Sequence, residues 1–430
     1  MNSDVESLQK RLKAEKITKG EVASKFKAVE KNSEEHSLLL TAMQTVSERI
    51  KSIESQLKNL ASVAPPISDK TILLSSPFAN IAPDNNWNSA FHVQLFGTEE
   101  FSRWDDFLKQ HRATYHYSAW LKLIKKSFGH ESTVIAAIDD ENNVLGGLPL
   151  TFFSSKIFGR FAVSVPFLNY GGIVSNYFNV AQALMTEANA MCIERKLSHI
   201  EIRTMQADLA KNALDKKVSM VLQLPKTDDL LEKQLGTKLR AQYKKAEAHE
   251  PIYRVGKSEL LNDFYAVFSR NMRDLGTPVY SKNWFSNILL CSDITSAILV
   301  VYMDSEPVSA GFLVGNGAML EIPWASTIHS ANHKNANMWM YRQILSYAIR
   351  EGYEFFDFGR STLDAGTYKF KKQWGALPYQ HYWYYLLESG KQKPELNPDN
   401  PKFKLFILIW KLMPVWLTKI IGPLVIKHIP

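Results

Sequence analysis

Cysteine is nearly missing from this chain: its 430 residues hold only Cys192 and Cys291, each in an apolar stretch. No Cys-x-x-Cys and no Cys/His cluster is present, which excludes a disulfide scaffold and a zinc module. A single Cys192–Cys291 bridge stays open, although two buried free thiols suit the apolar contexts better. There is no Gly-x-Ser-x-Gly, so a serine nucleophile elbow is excluded. His329 and His333 stand four apart without the glutamate of His-Glu-x-x-His, so no metal is expected. The first sixteen residues are charged and lack the apolar core of a signal peptide, which points to the cytoplasm.

Apolar residues make up 45% and charged residues 22%, as in an ordinary folded protein. The length allows two domains plus appendages. The net charge of +8 favours acidic partners: anionic lipid, nucleic acid such as tRNA, or a phosphate-bearing substrate.

Residues 1–62 read as helix. Met43, Val46, Ile50, Ile53, Leu57 and Leu60 are spaced 3, 4, 3, 4, 3, a heptad seam of coiled-coil type. Such a seam needs a partner helix; self-association into a homo-oligomer is the simplest source, and folding back on the same chain is the other. Gly20 is expected to set off a weaker leading helix around Leu8 and Leu12. Residues 63–90, with Pro65-Pro66, Pro77 and Pro83, read as a linker.

Residues 91–225 read as one α/β unit. Strands are expected near 93–95, 132–138, 144–153, 163–167 and 199–203, and helices at 99–111, 118–128 and 178–196. Residues 226–388 repeat the logic: two short helices near 228–248, helices at 260–275 and 282–291, strands at 296–303, 308–315 and 318–324, a helix at 337–351 and a strand at 355–358. The tail, 401–430, is rich in Phe, Leu, Ile and Trp, carries five lysines and has no acid. Lys411 and Lys419 interrupt the apolar run and Pro414 and Pro423 break it. It therefore reads, after a linker from 389, as two short amphipathic helices in a membrane interface rather than a span of about 20 apolar residues. The alternative is packing on the protein's own surface.

The densest chemistry lies at 354–376, E-F-F-D-F-G-R-S-T-L-D-A-G-T-Y-K-F-K-K-Q-W-G-A. A buried strand breaks at Gly359 and presents Arg360, Ser361 and Thr362 in an expected loop. From Tyr368 to Trp374 aromatic and basic residues then alternate. A carboxylate, a guanidinium, hydroxyls and lysines together suit an anionic substrate.

D-F-G-R-S-T followed by G-T-Y-K-F-K-K-Q-W-G-A resembles the signature of the FemAB-like acyltransferases, and within them the branch associated with exosortase/PEP-CTERM and exopolysaccharide gene sets. The segments F-G-R-F-A-V-S-V-P-F-L-N-Y-G-G-I (158–173), L-R-A-Q-Y-K-K-A (239–246) and N-M-R-D-L-G-T-P-V-Y (271–280) agree with it. The resemblance covers about residues 90–430. It implies an α/β (α+β) fold of tandem GNAT-like domains and an N-acyltransferase acting on an amine of a cell-envelope glycan, peptidoglycan or lipid-linked exopolysaccharide precursor. The donor would be aminoacyl-tRNA or acyl-CoA, used as a co-substrate with no tightly bound cofactor. Relatives carry a helical arm inside the second domain, so no role transfers to the N-terminal helix here.

Arg240, Lys244, Thr277, Arg360, Ser361, Lys369, Lys371 and Trp374 are expected to line the substrate cleft, the basic ones holding a diphosphate. Arg240 and Lys244 share a helical face. Asp357 is the best-placed proton acceptor, with Tyr341 and Tyr368 as relays; holding Arg360 or capping the loop is the structural alternative for Asp357. GNAT enzymes cradle coenzyme A pyrophosphate on a glycine-patterned loop opening a helix. Here S-A-N-H-K-N-A-N (330–337) lacks those glycines, and Asn337 reads as a helix N-cap. That departure argues against coenzyme A in the second unit. The competing reading is a non-catalytic assembly factor of exopolysaccharide machinery on a degenerate GNAT fold. On either reading the chain is expected in the cytoplasm, peripheral at the inner face of the cell membrane.

Overall fold

The computed structural model describes residues 2–26, 29, 33–62, 78, 85–111, 114–155, 159–210, 213–214, 216–387 and 401–429. Most of the expected linker at 63–90, Phe158, residues 389–400 and the side chains of Leu8, Leu57 and Leu60 lie outside the described residues. The chain divides into two compact units, 1–75 and 76–430.

The first unit is a helical hairpin of α1 (Asn2–Lys25) and α2 (Glu34–Ser62). Val46, Ile50 and Ile53 of the heptad seam are buried, and α1 of the same chain packs along α2. Lys16–Glu54 at 3.0 Å and Arg49–Glu15 at 3.8 Å tie the two helices. The seam therefore finds its partner within the chain, and its burial requires no second copy. Gly20 does not divide α1 either. One glycine costs about 1 kcal/mol against alanine, too little to break a helix packed along its length.

The second unit begins with β1 (Phe91–Phe96), α3 (Phe101–Leu108), α4 (Ser118–Phe128), β2 (Ser132–Asp139), β3 (Val144–Ser155), β4 (Gly159–Val163), β5 (Val174–Ser175), α5 (Phe178–Glu194) and β6 (His199–Thr204). It continues with β7 (Lys217–Gln223), α6 (Asp228–Gln234), α7 (Thr237–Lys244), β8 (Ile252–Gly256), α8 (Leu261–Leu275), α9 (Lys282–Leu289), β9 (Thr295–Met303), β10 (Glu306–Asn316), β11 (Met319–Thr327), α10 (Ala336–Arg350), β12 (Phe355–Thr362), α11 (Gly366–Lys372), β13 (Leu377–Gln380) and β14 (Tyr382–Leu387). Helices α12 (Pro401–Leu412) and α13 (Val415–Ile426) end it.

Two seven-stranded sheets result. The first runs β1-β2-β3-β4-β6-β14, with β5 beside β3, and the second β13-β7-β12-β11-β10-β9-β8. Neighbours are antiparallel except β4 with β6 and β11 with β12. Each parallel pair is joined by a crossover helix, α5 or α10, as parallel pairing demands. The sheets exchange strands: β7 leaves the first half of the chain for the second sheet, and β14 returns from the second half to the edge of the first. The expected division at 225/226 therefore does not follow the division between sheets. A shared aromatic core, including Phe153, Phe161 and Phe167 with Phe264, Phe285 and Phe312, joins the halves.

Three local expectations change. Residues 164–167 are not a strand but open an irregular loop that runs to 173, with Val165 and Phe167 at positive φ. Arg360 to Thr362 are not a loop; β12 continues through them. Residues 366–372 form a helix that turns Tyr368 and Lys371, three residues apart, inward and leaves Lys369 and Lys372 exposed.

The tail packs on the protein's own surface, against α8. Trp410 and Thr418 are buried, Gly422 lies against Val279, and Arg273 donates to the Met413 carbonyl at 3.1 Å. The outward side stays apolar: Leu405, Leu408, Ile409, Leu412, Trp416, Ile420 and Leu424 are all exposed. No helix among the described residues is long and apolar enough to cross a membrane. Both cysteines are free thiols, Cys192 buried and Cys291 half-buried.

Candidate active site

The site lies where the parallel strands part. β11 and β12 pair at only three positions, ending at Glu321↔Asp357. Beyond that point the strands diverge, and two carboxylates face each other at the apex. Both are fully buried. Tyr115 donates to Glu321 Oε2 at 2.5 Å, and the Asn169 amide donates to Oε1. Asp357 Oδ1 accepts from the Gly359 N–H at 2.7 Å, while Oδ2 is buried with no partner. Burial raises both carboxyl pKa values, and for Glu321 the Asp357 charge raises it further. Each carboxyl therefore keeps its proton to a higher pH than an ordinary carboxylate does. Lys371 donates from Nζ to the carbonyls of Gly359 (2.8 Å) and Arg360 (3.1 Å). Burial lowers its pKa to about 8, against the pull of Asp357 and Glu321.

Asn169 comes from the 164–173 loop of the first half. That loop needs its glycines: Gly172 sits at φ +98°, and a Cβ there would lie 2.6 Å from Thr204 Cβ. The loop thus brings a first-half side chain into the second-half apex.

The first sheet repeats the pattern. β4 and β6 end their parallel pairing at Val163↔Glu201, so Glu201 corresponds to Asp357. Two residues on is Arg203. In β12 the register shifts between Asp357 and Arg360, because Gly359, at φ +78°, adds one residue as a bulge. Arg360 thereby takes the matching place. Both guanidiniums lie over the Trp383 ring, at 4.8 and 5.0 Å.

The two arginines differ in their partners. Arg203 pairs with Glu201 at 2.5 Å, and Tyr385 donates to the other oxygen at 2.8 Å. Burial pushes the Glu201 pKa up, but Arg203 and Tyr385 outweigh it and the net shift is downward. Arg360 touches the Asn169 carbonyl at 3.5 Å and has no carboxylate within ion-pair distance among the described residues. Burial, then the Arg203 charge, lowers its pKa to about 10. A crowded, partly exposed guanidinium without a counter-ion is an anion site. Tyr280 adds a hydroxyl to this environment; burial pushes it up to about 12 against the pull of Arg360 and Arg203. His381, whose Nε2 meets the Ser219 hydroxyl at 3.0 Å, is kept neutral by burial and by both arginines, its pKa lowered to about 3.

The structure brings together only some of the residues read from sequence. Asp357, Arg360 and Lys371 meet at the apex. Ser361 is buried on β12 with its hydroxyl unpartnered. Thr277 caps the end of α8, its N–H bonding the Met272 carbonyl; Tyr280, from the same segment, is the residue whose hydroxyl feels the charge of both arginines. Tyr341, Tyr368 and Trp374 lie on the opposite face of the second sheet. They pack with Phe356 and Phe358, whereas Phe355, which shares a face with Asp357 by strand alternation, joins the other core. They are core residues, and the relay and cleft roles expected of them do not fit. Arg240 and Lys244 also sit on that far face, on α7: Arg240 bonds the Glu232 carbonyl at 3.0 Å, and Lys244 borders a hollow with Asp228, Glu232 and Glu247. Neither contacts Arg360. Lys369 is exposed on α11.

Glu321, Tyr115, Asn169, Glu201, Arg203, Tyr280 and Trp383 were not singled out from sequence. Two signals exist for some of them. Glu321 is a lone acid inside the apolar run M-L-E-I-P-W, and E-I-R at 201–203 parallels D-F-G-R at 357–360.

The turn before α10 contains no glycine. Residues 329–334 form a tight turn closed by Asn335 in the left-handed region. Asn335 is the N-cap of α10, and Asn337 instead accepts from the Thr327 hydroxyl at 3.3 Å. At α5 the chain covers its own helix start: Phe178 N–H bonds the Asn85 carbonyl at 2.7 Å and Asn179 N–H bonds Asn86 Oδ1 at 3.1 Å.

Residues 233–372 match the family model described as an acetyltransferase (GNAT) domain. Glu321, Asp357, Arg360 and Lys371 all fall within the match. Comparison with curated proteins finds no match. Among solved structures, the chain is similar to FemX, at 15% identity and a TM-score of 0.51 over 74% of this chain and 100% of that one. It is also similar to the C-terminal domain of a putative lysylphosphatidylglycerol synthetase from Agrobacterium fabrum (11% identity, TM-score 0.47, 68% of this chain and 93% of that one). A tandem GNAT protein from the clavulanic acid biosynthesis pathway matches at 10% identity and a TM-score of 0.46, over 68% of this chain and 98% of that one. The chain therefore shares the fold of FemX and carries in its second half an acetyltransferase (GNAT) domain.

Proposed function

We propose that the chain transfers an acyl or aminoacyl group to an amine on a phosphate-bearing cell-envelope acceptor: a glycan, a peptidoglycan precursor or a lipid-linked exopolysaccharide precursor. The observation that carries this reading is the unpaired Arg360 beside the buried Glu321–Asp357 pair. Arg360 takes an anionic group of a substrate, with Tyr280 alongside. The acceptor nitrogen attacks the donor carbonyl, a C–N bond forms and the donor's ester or thioester C–O or C–S bond breaks. The proton lost by the nitrogen passes to Asp357 Oδ2, the carboxylate oxygen left without a partner, and the departing alkoxide or thiolate takes up a proton and leaves as the alcohol or thiol. Holding donor and acceptor together supplies much of the rate.

The donor that fits best is an aminoacyl ester on tRNA. The turn before α10 has no glycine cradle, the start of α5 is covered by the chain's own Asn85 and Asn86, and the net charge of +8 suits a polyanion. The apolar outward side of α12 and α13, with lysines and no acids, supports work at the cytoplasmic face of a membrane. An association with exopolysaccharide systems follows the sequence resemblance.

The test is direct. Purified protein is incubated with aminoacyl-tRNA or acetyl-CoA and with nucleotide- or lipid-linked glycan acceptors, and the acceptor mass is followed. An acyl mass increment that Asp357→Asn abolishes supports the reading. An acceptor unchanged by every donor, with wild-type envelope glycans in cells lacking the protein, overturns it in favour of an assembly factor.

A further inference from the structure

A second feature lies outside the apex. A cavity of about 440 Å³ opens where the end of the tail meets the first sheet, and none of its lining residues belongs to the seam described above. Arg160, Arg195, Lys427 and His428 line it together with the rings of Phe152 and Phe153. The Arg195 guanidinium lies 4.6 Å from the Phe152 ring centre. Among the described residues neither arginine nor Lys427 has a carboxylate in ion-pair range. The one acid on the lining, Glu131, is engaged by Lys125 at 2.9 Å. Three cations without counter-ions in a partly enclosed space recruit an anion.

An apolar lane leads to this cavity. Trp416, Ile420 and Leu424 of α13 are 63%, 59% and 60% exposed. They recur every four residues, and the next step is His428, on the cavity lining. At about 1.5 Å per residue the lane from Trp416 to Leu424 is about 12 Å long. A lane of exposed apolar side chains ending in a cationic hollow complements an amphiphile with an anionic head.

The geometry points to this cavity as the site for the phosphate headgroup of one anionic membrane lipid, its acyl chain lying along Trp416, Ile420 and Leu424. The membrane association proposed above is the setting for this site, but the site is separate from the acyl-transfer apex. A discrete headgroup pocket discriminates between lipids, which a merely apolar surface does not do.

Two measurements on the full chain test it. The first titrates dihexanoyl-phosphatidylglycerol below its micellar concentration, dihexanoyl-phosphatidylcholine and inorganic phosphate by native mass spectrometry. One phosphatidylglycerol per chain is expected, at least about tenfold tighter than either other probe. The triple variant Arg160→Gln, Arg195→Gln, Lys427→Gln should lose that preference, and Leu424→Ser should weaken the lipid but not inorganic phosphate. Inorganic phosphate binding as tightly as the lipid would make this a free-phosphate site and overturn the lipid assignment. So would unchanged lipid binding in the triple variant. The second measurement is flotation with phosphatidylglycerol vesicles. If the triple variant floats as the wild type does, the pocket reading fails while membrane docking stands; if the wild type itself stays unbound, both fail. Arg360→Gln, which disables the proposed apex, should bind the short-chain lipid normally; lost binding there would move the lipid to the apex and overturn the separate site.

Discussion

Glu321 and Asp357 are register partners, the last pair held together before β11 and β12 separate. The aromatic core that packs on their face of the sheet, with Met319 and Phe355, keeps both carboxyls from bulk water. The pair is costly to bury and is retained at the one point where the sheet opens.

That cost predicts a pH dependence. Burial raises both pKa values, so between about pH 4, the ordinary carboxylate value, and the raised values the native chain binds more protons than the unfolded chain. Stability is then greatest at the acid end of the window and falls as pH rises through it. Glu321→Gln should flatten that fall, melting close to wild type near pH 5 and several degrees above it near pH 8.5. Thermal unfolding across that range checks it; a variant tracking wild type at both ends would contradict it.

Loss of the proton acceptor should be far more damaging to rate than to fold. Asp357→Asn is expected to lower the turnover of acyl transfer by about 10²–10⁴-fold, with donor binding preserved. In the wild type, rate should rise with pH as the carboxyl ionises. A variant with wild-type turnover would return Asp357 to a purely structural role, holding the Gly359 turn.

Arg360 should behave in the opposite way to a structural arginine. It has no carboxylate partner and is crowded by Arg203, so Arg360→Gln should leave the melting temperature equal or higher. Acceptor affinity should fall by about 10–100-fold, the worth of a charged hydrogen bond of about 1.5–3 kcal/mol. Arg360→Lys should recover little, because a point charge does not reproduce the planar fork. Steady-state KM and kcat for the acceptor, with parallel melts, separate these effects.

Arg203 is the internal control. Its pair with Glu201 is buried on both sides, so Arg203→Met leaves a carboxylate without compensation and should cost about 3–5 kcal/mol. Adding Glu201→Gln should restore much of that stability. Denaturant unfolding of the single and double variants reads the difference.

The helical hairpin gives a prediction on oligomeric state. Its seam is buried against its own α1, so Ile50→Asp should melt helix signal from the first unit without changing the sedimentation coefficient from one oligomeric class to another. A dimer in the wild type that this variant dissolves would show that the seam is shared between copies.

Much of the fold was legible because it rests on local periodicity. The strands at 132–139 and 144–155 and the helices at 118–128 and 261–275 follow from alternation and helical spacing. Strands β7, β13 and β14 were missed because β7 and β13 mix apolar and polar residues without clear alternation, β14 is one short aromatic-rich run, and each is fixed only by a partner far along the chain. The same holds for the site. Asp357, Arg360 and Lys371 were visible as chemistry within one stretch. Glu321, Asn169 and Arg203 depend on which strands lie side by side, and that is a property of topology. Tyr341 and Tyr368 misled because an aromatic next to basic residues looks alike on either face of a sheet.

The strand exchange has a consequence for how the molecule is made. The first sheet is closed at its edge by β14, residues Tyr382–Leu387, which leave the ribosome after every other strand. Until then β6, with Glu201 and Arg203, presents an open edge, and the ring of Trp383 that both arginines share has not yet arrived. The two halves cannot mature one after the other like beads on a string. A chain cut near residue 225 would carry β7 without its sheet and β6 without its neighbour, so nascent segments should stay sensitive to protease until almost the whole of the second unit has been synthesised.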